Sequence, residues 1–173
     1  MALIKTIHNH TPAFGNNCYL AENATIIGDV VMGDDCSVWF QAIIRGDVNH
    51  IRIGNQVNIQ DGAIIHCTYQ KASTKIGNNV SVGHRAILHG CTVEDNALIG
   101  MGSIVMDHAV VESNCLIAAG AVVKETTICE SGYIYAGVPA KKVKALSKEA
   151  FEGTILRTAE AYKRYASWFK QTM

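Results

Sequence analysis

The sequence predicts a mainly β protein: a parallel β-helix of hexapeptide repeats, closed by one C-terminal α-helix. Three observations lead there. Aliphatic residues recur in steps of six: Met32, Val38, Ile44; Ile53, Ile59, Ile65; Ile76, Val82, Leu88; and Val93 onward through Ile99, Val105, Val111, Ile117 and Val123. Four residues after these positions stands a small or β-branched residue in 14 of 15 cases, from Cys36, Ala42 and Val48 to Thr92 and Thr127, with Tyr69 the exception. The composition agrees, with 19 Ile, 15 Val and 15 Gly against 2 Pro and 7% aromatics, a mixture suited to strands joined by tight turns.

A six-residue period with two inward positions matches neither the helical period of about 3.6 nor simple alternation. It fits a short strand, a corner and another short strand. Three such units make an 18-residue coil of triangular section, stacked on the next at about 4.8 Å. Gly46–Arg52 and Cys67–Lys75 insert residues into the repeat, and the step from Leu88 to Val93 is one residue short. Irregularities of this kind tend to lie on a binding face. The solenoid domain is expected over 1–140, with a short N-terminal lead-in.

Residues 141–173 form the second unit. Ser147 is a suitable N-cap, Glu149 and Glu152 suit the first turn, and Phe151, Ile155, Tyr162 and Phe169 follow helical spacing. This predicts one amphipathic helix over about 148–170, weakened at Gly153 by roughly 1 kcal/mol relative to Ala. Its apolar stripe is expected to pack along the β-helix.

Net charge is zero, which gives no broad basic field for nucleic acid. Residues 1–140 hold 7 Lys/Arg and 12 Asp/Glu, while 141–173 hold 8 and 3; a solvated basic helix face accounts for the second segment. No apolar run approaches the roughly 18 residues of a membrane span, and the first residues lack a signal-peptide layout. The six Cys contain no CxxC pair, which points to a reduced, cytoplasmic protein without a disulfide framework. Cys36 and Cys115 fall at inward repeat positions and are expected to be buried and inert.

Register arranges the histidines. His66 and His89 directly follow Ile65 and Leu88, so they stack one coil apart, in a column begun by Arg45 after Ile44. His84 and Asp61 follow Val82 and Ile59 by two and form a second column around a corner. Two stacked His can share a metal ion, and a third would leave one position open for water, the catalytic arrangement for Zn²⁺. Fe²⁺ or Co²⁺ also suits imidazole ligands. The third His points from another face, which a threefold assembly would resolve by setting that face against a neighbour.

Arg45-Gly-Asp47, Asn58-Ile-Gln-Asp61, His66, Gly83-His84 and His89-Gly90 together resemble the γ-class carbonic anhydrase family over about 10–170. The resemblance implies a left-handed β-helix and a homotrimer with intersubunit metal sites. His66 and His89 resemble ligands from one subunit and His84 the ligand from its neighbour. Arg45, Asp47 and Asp61 resemble the interface ion-pair set, with Arg45 a bicarbonate contact. Gln60 and Asn58 resemble residues that orient metal-bound hydroxide or substrate, and Tyr135 resembles a Tyr near the metal. The implied reaction is reversible hydration of CO₂, with no nucleic-acid or membrane partner. Val48 stands where some members carry Glu, and Cys67–Lys75 lacks the acidic proton-shuttle loop of others, so a modest rate is expected. The hexapeptide tract and Gly137-Val-Pro-Ala-Lys-Lys142 are equally compatible with an acyl-CoA acyltransferase, a metal-hydroxide thioesterase or a non-catalytic scaffold.

Overall fold

The computed structural model describes residues 1–170. The chain winds into a parallel β-solenoid of triangular section. One face carries Thr74–Ile76, Thr92–Val93, Val110–Val111 and Ile128–Cys129; the second carries Ser37–Val38, Asn58–Ile59, Ser81–Val82, Leu98–Ile99 and Leu116–Ile117; the third carries Ile64–His66, Ile87–His89, Ile104–Val105 and Val122–Val123. Equivalent positions pair in register, as in Ile59 with Val82 and Ile65 with Leu88.

The six-residue step places one aliphatic side chain of each short strand inside. Ile44, Ile65 and Leu88 stack on one wall, Ile59, Val82, Ile99 and Ile117 on another, all fully buried. Small residues fill the corners because the chain turns sharply there. Ala42, Ala63, Ala86, Ser103 and Ala121 each donate the backbone N–H that closes a four-residue turn. The residue just before each of them has positive φ: Gln41, Gly62, Arg85, Gly102 and Gly120. A side chain larger than these inward residues would have to displace the wall packed against it.

The insertions alter this pattern locally. Gly46–Arg52 continues the strand Ile43–Ile53, which pairs with Thr25–Met32 through a register shift between Gly28 and Val30. Val48 is therefore only partly buried. Thr92 is likewise partly buried, because the shortened step hands its inward place to Cys91. Both residues had been expected inside by spacing. All six Cys are free; Cys36 and Cys115 are buried, the latter donating to backbone carbonyls.

The strand Lys141–Ala145 runs antiparallel to Tyr133–Ala136, ends the second sheet, and is exposed throughout. Its repeat-free sequence gave no sign of a strand; its lysines suit an exposed edge. The Ser147 side chain accepts from Ala150 N–H at 3.2 Å and starts α1, Lys148–Ala150. The expected continuous helix is interrupted by a π-helical segment, Phe151–Leu156, which contains Gly153, before α2, Arg157–Lys170. A weak helix former lowers the cost of that local rewinding.

Ile155, Ala159 and Ala166 of the helical segment are buried. Trp39 packs against Tyr162 and Phe169 with ring centroids 5.2 and 5.4 Å apart. Lys163 Nζ pairs with Asp35 at 3.3 Å, and Lys170 Nζ donates to Asn17 Oδ1 at 2.7 Å. The basic C-terminal segment thus answers part of the acidic surplus of the solenoid. No helix among the described residues is long and apolar enough to cross a membrane.

Candidate metal centre

His66 and His89 lie on adjacent strands of the third face, in direct register. His66 Nδ1 and His89 Nε2 stand 3.1 Å apart. The opposite nitrogen of each ring meets a carboxylate: His66 Nε2 lies 3.0 Å from Asp47 Oδ1, and His89 Nδ1 lies 2.6 Å from Asp107 Oδ1. An ionised carboxylate can only accept, so each ring keeps its proton on that side and presents a lone pair on the other. Two nitrogens at about 2.0–2.1 Å from a tetrahedral zinc stand roughly 3.3–3.4 Å apart. The donor set fits a divalent ion in both spacing and protonation.

The electrostatics keep it so. Burial is the largest influence on His66 and, with the Arg45 charge, lowers its pKa below the ordinary histidine value despite Asp47. Burial pushes Asp47 and Asp107 upward. Hydrogen bonds from Arg45 and His66 to the first, and from Thr68 and His89 to the second, bring both below the ordinary carboxylate value. The His66 ring is held neutral, and Asp47 and Asp107 ionised, at neutral pH.

His84 stands elsewhere. It occupies the corner turn closed by Ala86 N–H onto Gly83 O at 3.0 Å, where the second face ends and the third begins. The rest of that turn and the strand Ile87–His89 lie between it and His89 along the chain. Asp61 fills the equivalent corner one coil earlier, and His84 Nδ1 lies 2.9 Å from its Oδ2. His84 Nε2 meets Tyr162 Oη of α2 at 3.2 Å. Burial, then the Asp61 charge, push the Tyr162 phenol up to about 12, so it remains a donor. Among the described residues of one chain, no three His, Cys, Asp or Glu side chains close on a common metal position.

Gln60 and Asn58 are buried on the His84 side. Gln60 Oε1 accepts from His84 N–H at 3.2 Å, its Nε2 donates to Asn58 Oδ1 at 3.0 Å, and Asn58 Nδ2 donates to Ser81 Oγ at 2.8 Å. Within the chain these amides brace the corner that carries His84. Arg45 adjoins Asp47 and remains partly exposed. Cys67 is buried, with its thiol pushed up by burial.

Tyr135 does not join this group. It pairs with Ile117, two coils beyond Val82, and is buried in the core with its Oη accepting from Glu130 N–H at 2.9 Å. Each coil advances about 4.8 Å, so Tyr135 lies well along the solenoid axis from both histidine columns. The tyrosine that reaches a site histidine is Tyr162.

The hexapeptide family of bacterial transferases (six repeats) matches residues 90–125. A carbonic anhydrase of Geobacillus kaustophilus is 50% identical over 139 residues, covering 80% of this chain and 76% of that protein. Gamma carbonic anhydrase 2, mitochondrial, of Arabidopsis thaliana is 40% identical over 84% of this chain, which spans 54% of that relative's length. The chain belongs to the γ-carbonic anhydrase-like family of hexapeptide-repeat proteins. A solved hexapeptide transferase family protein from Anaplasma phagocytophilum superposes with a TM-score of 0.92 at 37% identity, covering 96% of this chain and 98% of its own.

Within this γ-carbonic anhydrase-like chain, Asp107 and Tyr162 escaped the sequence reading. Asp107 stands in the corner two residues after Val105, the partner of Leu88 one coil on, and reading that corner against His89 finds it. Tyr162 falls on the apolar stripe of the helix, and no sequence signal ties it to a residue 78 positions away.

Proposed function

We propose that this protein is a divalent-metal-dependent, γ-carbonic anhydrase-type enzyme for reversible CO₂ hydration, working as a homotrimer with its sites between subunits. The observation that carries the reading is the facing pair of unprotonated nitrogens on His66 and His89, each backed by a carboxylate. That arrangement holds a metal ligand in one tautomer and one orientation. Zn²⁺ is the default ion, with Fe²⁺ or Co²⁺ alternatives. When bound, such an ion supplies enough Lewis acidity to bring a water's pKa down to about 7.

The chain's own residues divide the remaining work. His66 and His89 hold the ion from one subunit and His84 from the next. The third face presents a ladder of outward Ile43, Ile64, Ile87 and Ile104 in register beside the pair, Ile64 exposed and the others partly buried. A second copy packed on that ladder would remove it from water and bring a His84 corner toward the pair. Arg45 has guanidinium N–H groups beyond the one given to Asp47 and offers them to the bicarbonate anion. Gln60 and Asn58 travel with the His84 corner and orient the reacting groups, while Asp47 and Asp61 secure the ion-paired rim. Six free thiols suit a reducing compartment, the cytoplasm.

The test is metal analysis together with a CO₂ hydration assay on protein kept reduced and anaerobic. About one divalent ion per chain with hydration activity is the expected result. A fully metallated trimer that hydrates no CO₂ but transfers acyl groups from CoA would overturn the reading in favour of an acyltransferase; the solved relative is named a hexapeptide transferase family protein.

A further inference from the structure

Asp61, His84 and Tyr162 form one hydrogen-bonded chain between the solenoid corner and the C-terminal helix. Asp61 Oδ2 accepts from His84 Nδ1 at 2.9 Å, so the ring proton sits on Nδ1 and His84 Nε2 holds a single lone pair. The Tyr162 hydroxyl donates to that lone pair at 3.2 Å. It is the same lone pair that His84 would offer to a metal, and one lone pair serves one partner.

We propose that Tyr162 is a latch on His84: its hydroxyl competes with the divalent ion for Nε2, so that metal uptake must release the phenol and is coupled to the docking of α2. The inference rests on the metal reading above. It makes Tyr162 a positioning residue that acts through His84.

Two further observations support a contact that can open. The Tyr162 ring is held by packing, with centroids 5.2 Å from Trp39 and 5.5 Å from Tyr165, so withdrawing the hydroxyl from Nε2 shifts α2 against the solenoid. A cleft of about 420 Å³ between the second face and the helical segment is lined by Gln60, His84, Thr154, Thr158 and Tyr162 among others. It provides room beside both rings. His84 is also accessible, with 41% of its side chain exposed while latched.

The experiment titrates Co²⁺ into metal-free protein, anaerobically, for the parent chain, Tyr162→Phe and His84→Ala, following the visible absorption of the bound ion. Hydrogen exchange over 157–170 is measured with and without Co²⁺. Tyr162→Phe is expected to bind about five-fold more tightly, the equivalent of one net hydrogen bond removed from the competing state. Cobalt should raise exchange over 157–170 in the parent chain and leave it unchanged in His84→Ala. Equal affinities in parent and Tyr162→Phe, with helix exchange indifferent to cobalt, would overturn the latch while a loss of binding in His84→Ala upheld the metal site. If cobalt binding is absent, or does not depend on His84, the latch and the metal reading fall together. The exchange measurement uses the unmutated chain, so it decides the matter even where Tyr162→Phe loosens the helix.

Discussion

His66 Nδ1 and His89 Nε2 face each other at 3.1 Å, and each is the nitrogen its ring leaves unprotonated. Two lone pairs at that distance repel unless a cation lies between them. The parallel register forces the rings together, because Ile65 and Leu88 are stacked in the core and the next residue of each strand follows. Asp47, carried by the long strand Ile43–Ile53, and Asp107, in a corner one coil beyond His89, fix the tautomers. The hydrophobic repeat thus sets the spacing of the pair, and its departures from regularity supply part of the chemistry.

Asp107→Ala is expected to weaken metal binding by about 10–100-fold, since His89 would lose the partner that orients it. Competition against a chelator of known affinity measures this. Unchanged affinity would show that the 2.6 Å contact does not orient the ligand.

His66→Ala and His84→Ala should each abolish metal binding as pure proteins. Unfolded and refolded together, the two chains should regain some of it, because a hybrid trimer can set an intact His84 corner against an intact His66 column. Metal content across mixing ratios is the readout. Full metal binding by a protein that sediments as a monomer would refute the shared site.

The solenoid was legible because its constraint is local and repeated: one aliphatic wall residue and one small corner residue every six positions, as at Ile59 and Ala63. The columns of His66 with His89 and of Asp61 with His84 followed from register alone. What register could not give was the reach of side chains across corners, which decides that Asp107 meets His89. Nor could it show which tyrosine reaches a site histidine, since Tyr162 arrives by helix docking while Tyr135 turns into the core. The π segment and the strand Lys141–Ala145 lie outside the repeat and are set by packing at the end of the solenoid.

Ile65→Ala should destabilise the protein by about 2–5 kcal/mol, because a fully buried wall residue between Ile44 and Leu88 leaves a cavity that rigid neighbouring coils cannot close. Urea unfolding measures the loss. The same substitution should weaken metal binding, as His66 is the next residue on that strand.

Metal-free protein should lose stability in two stages as pH falls. His66 has a lowered pKa when folded, so between its ordinary value of about 6.5 and that lower folded value the unfolded chain binds the extra proton. Stability therefore drops as pH falls below about 6.5 and levels off once the folded ring is protonated. Asp47 and Asp107 behave oppositely in charge but not in direction: their lowered folded pKa values give stability that is present above about 3.9 and lost as pH falls through the folded values. Urea midpoints across pH test both stages, and His66→Ala should remove its contribution to the upper one.

Turnover is expected to be limited by proton export. The reaction releases a proton for every CO₂ hydrated, and at high rate that proton needs an acceptor near the site. Asp47 is already committed to Arg45 and His66, and Asp107 to Thr68 and His89. Val48 follows Asp47, and Cys67–Lys75 contains no carboxylate. A missing proton-transfer group typically lowers a rate by about 10²–10⁴-fold. Small buffers such as imidazole should therefore raise kcat in proportion to their concentration until another step takes over. Placing an acid on the inserted segment, as in Tyr69→Glu, should reduce that buffer dependence, since Tyr69 is exposed beside the turn that follows His66. A kcat already independent of buffer in the parent protein would show that proton release is not limiting and that the short segment is no handicap.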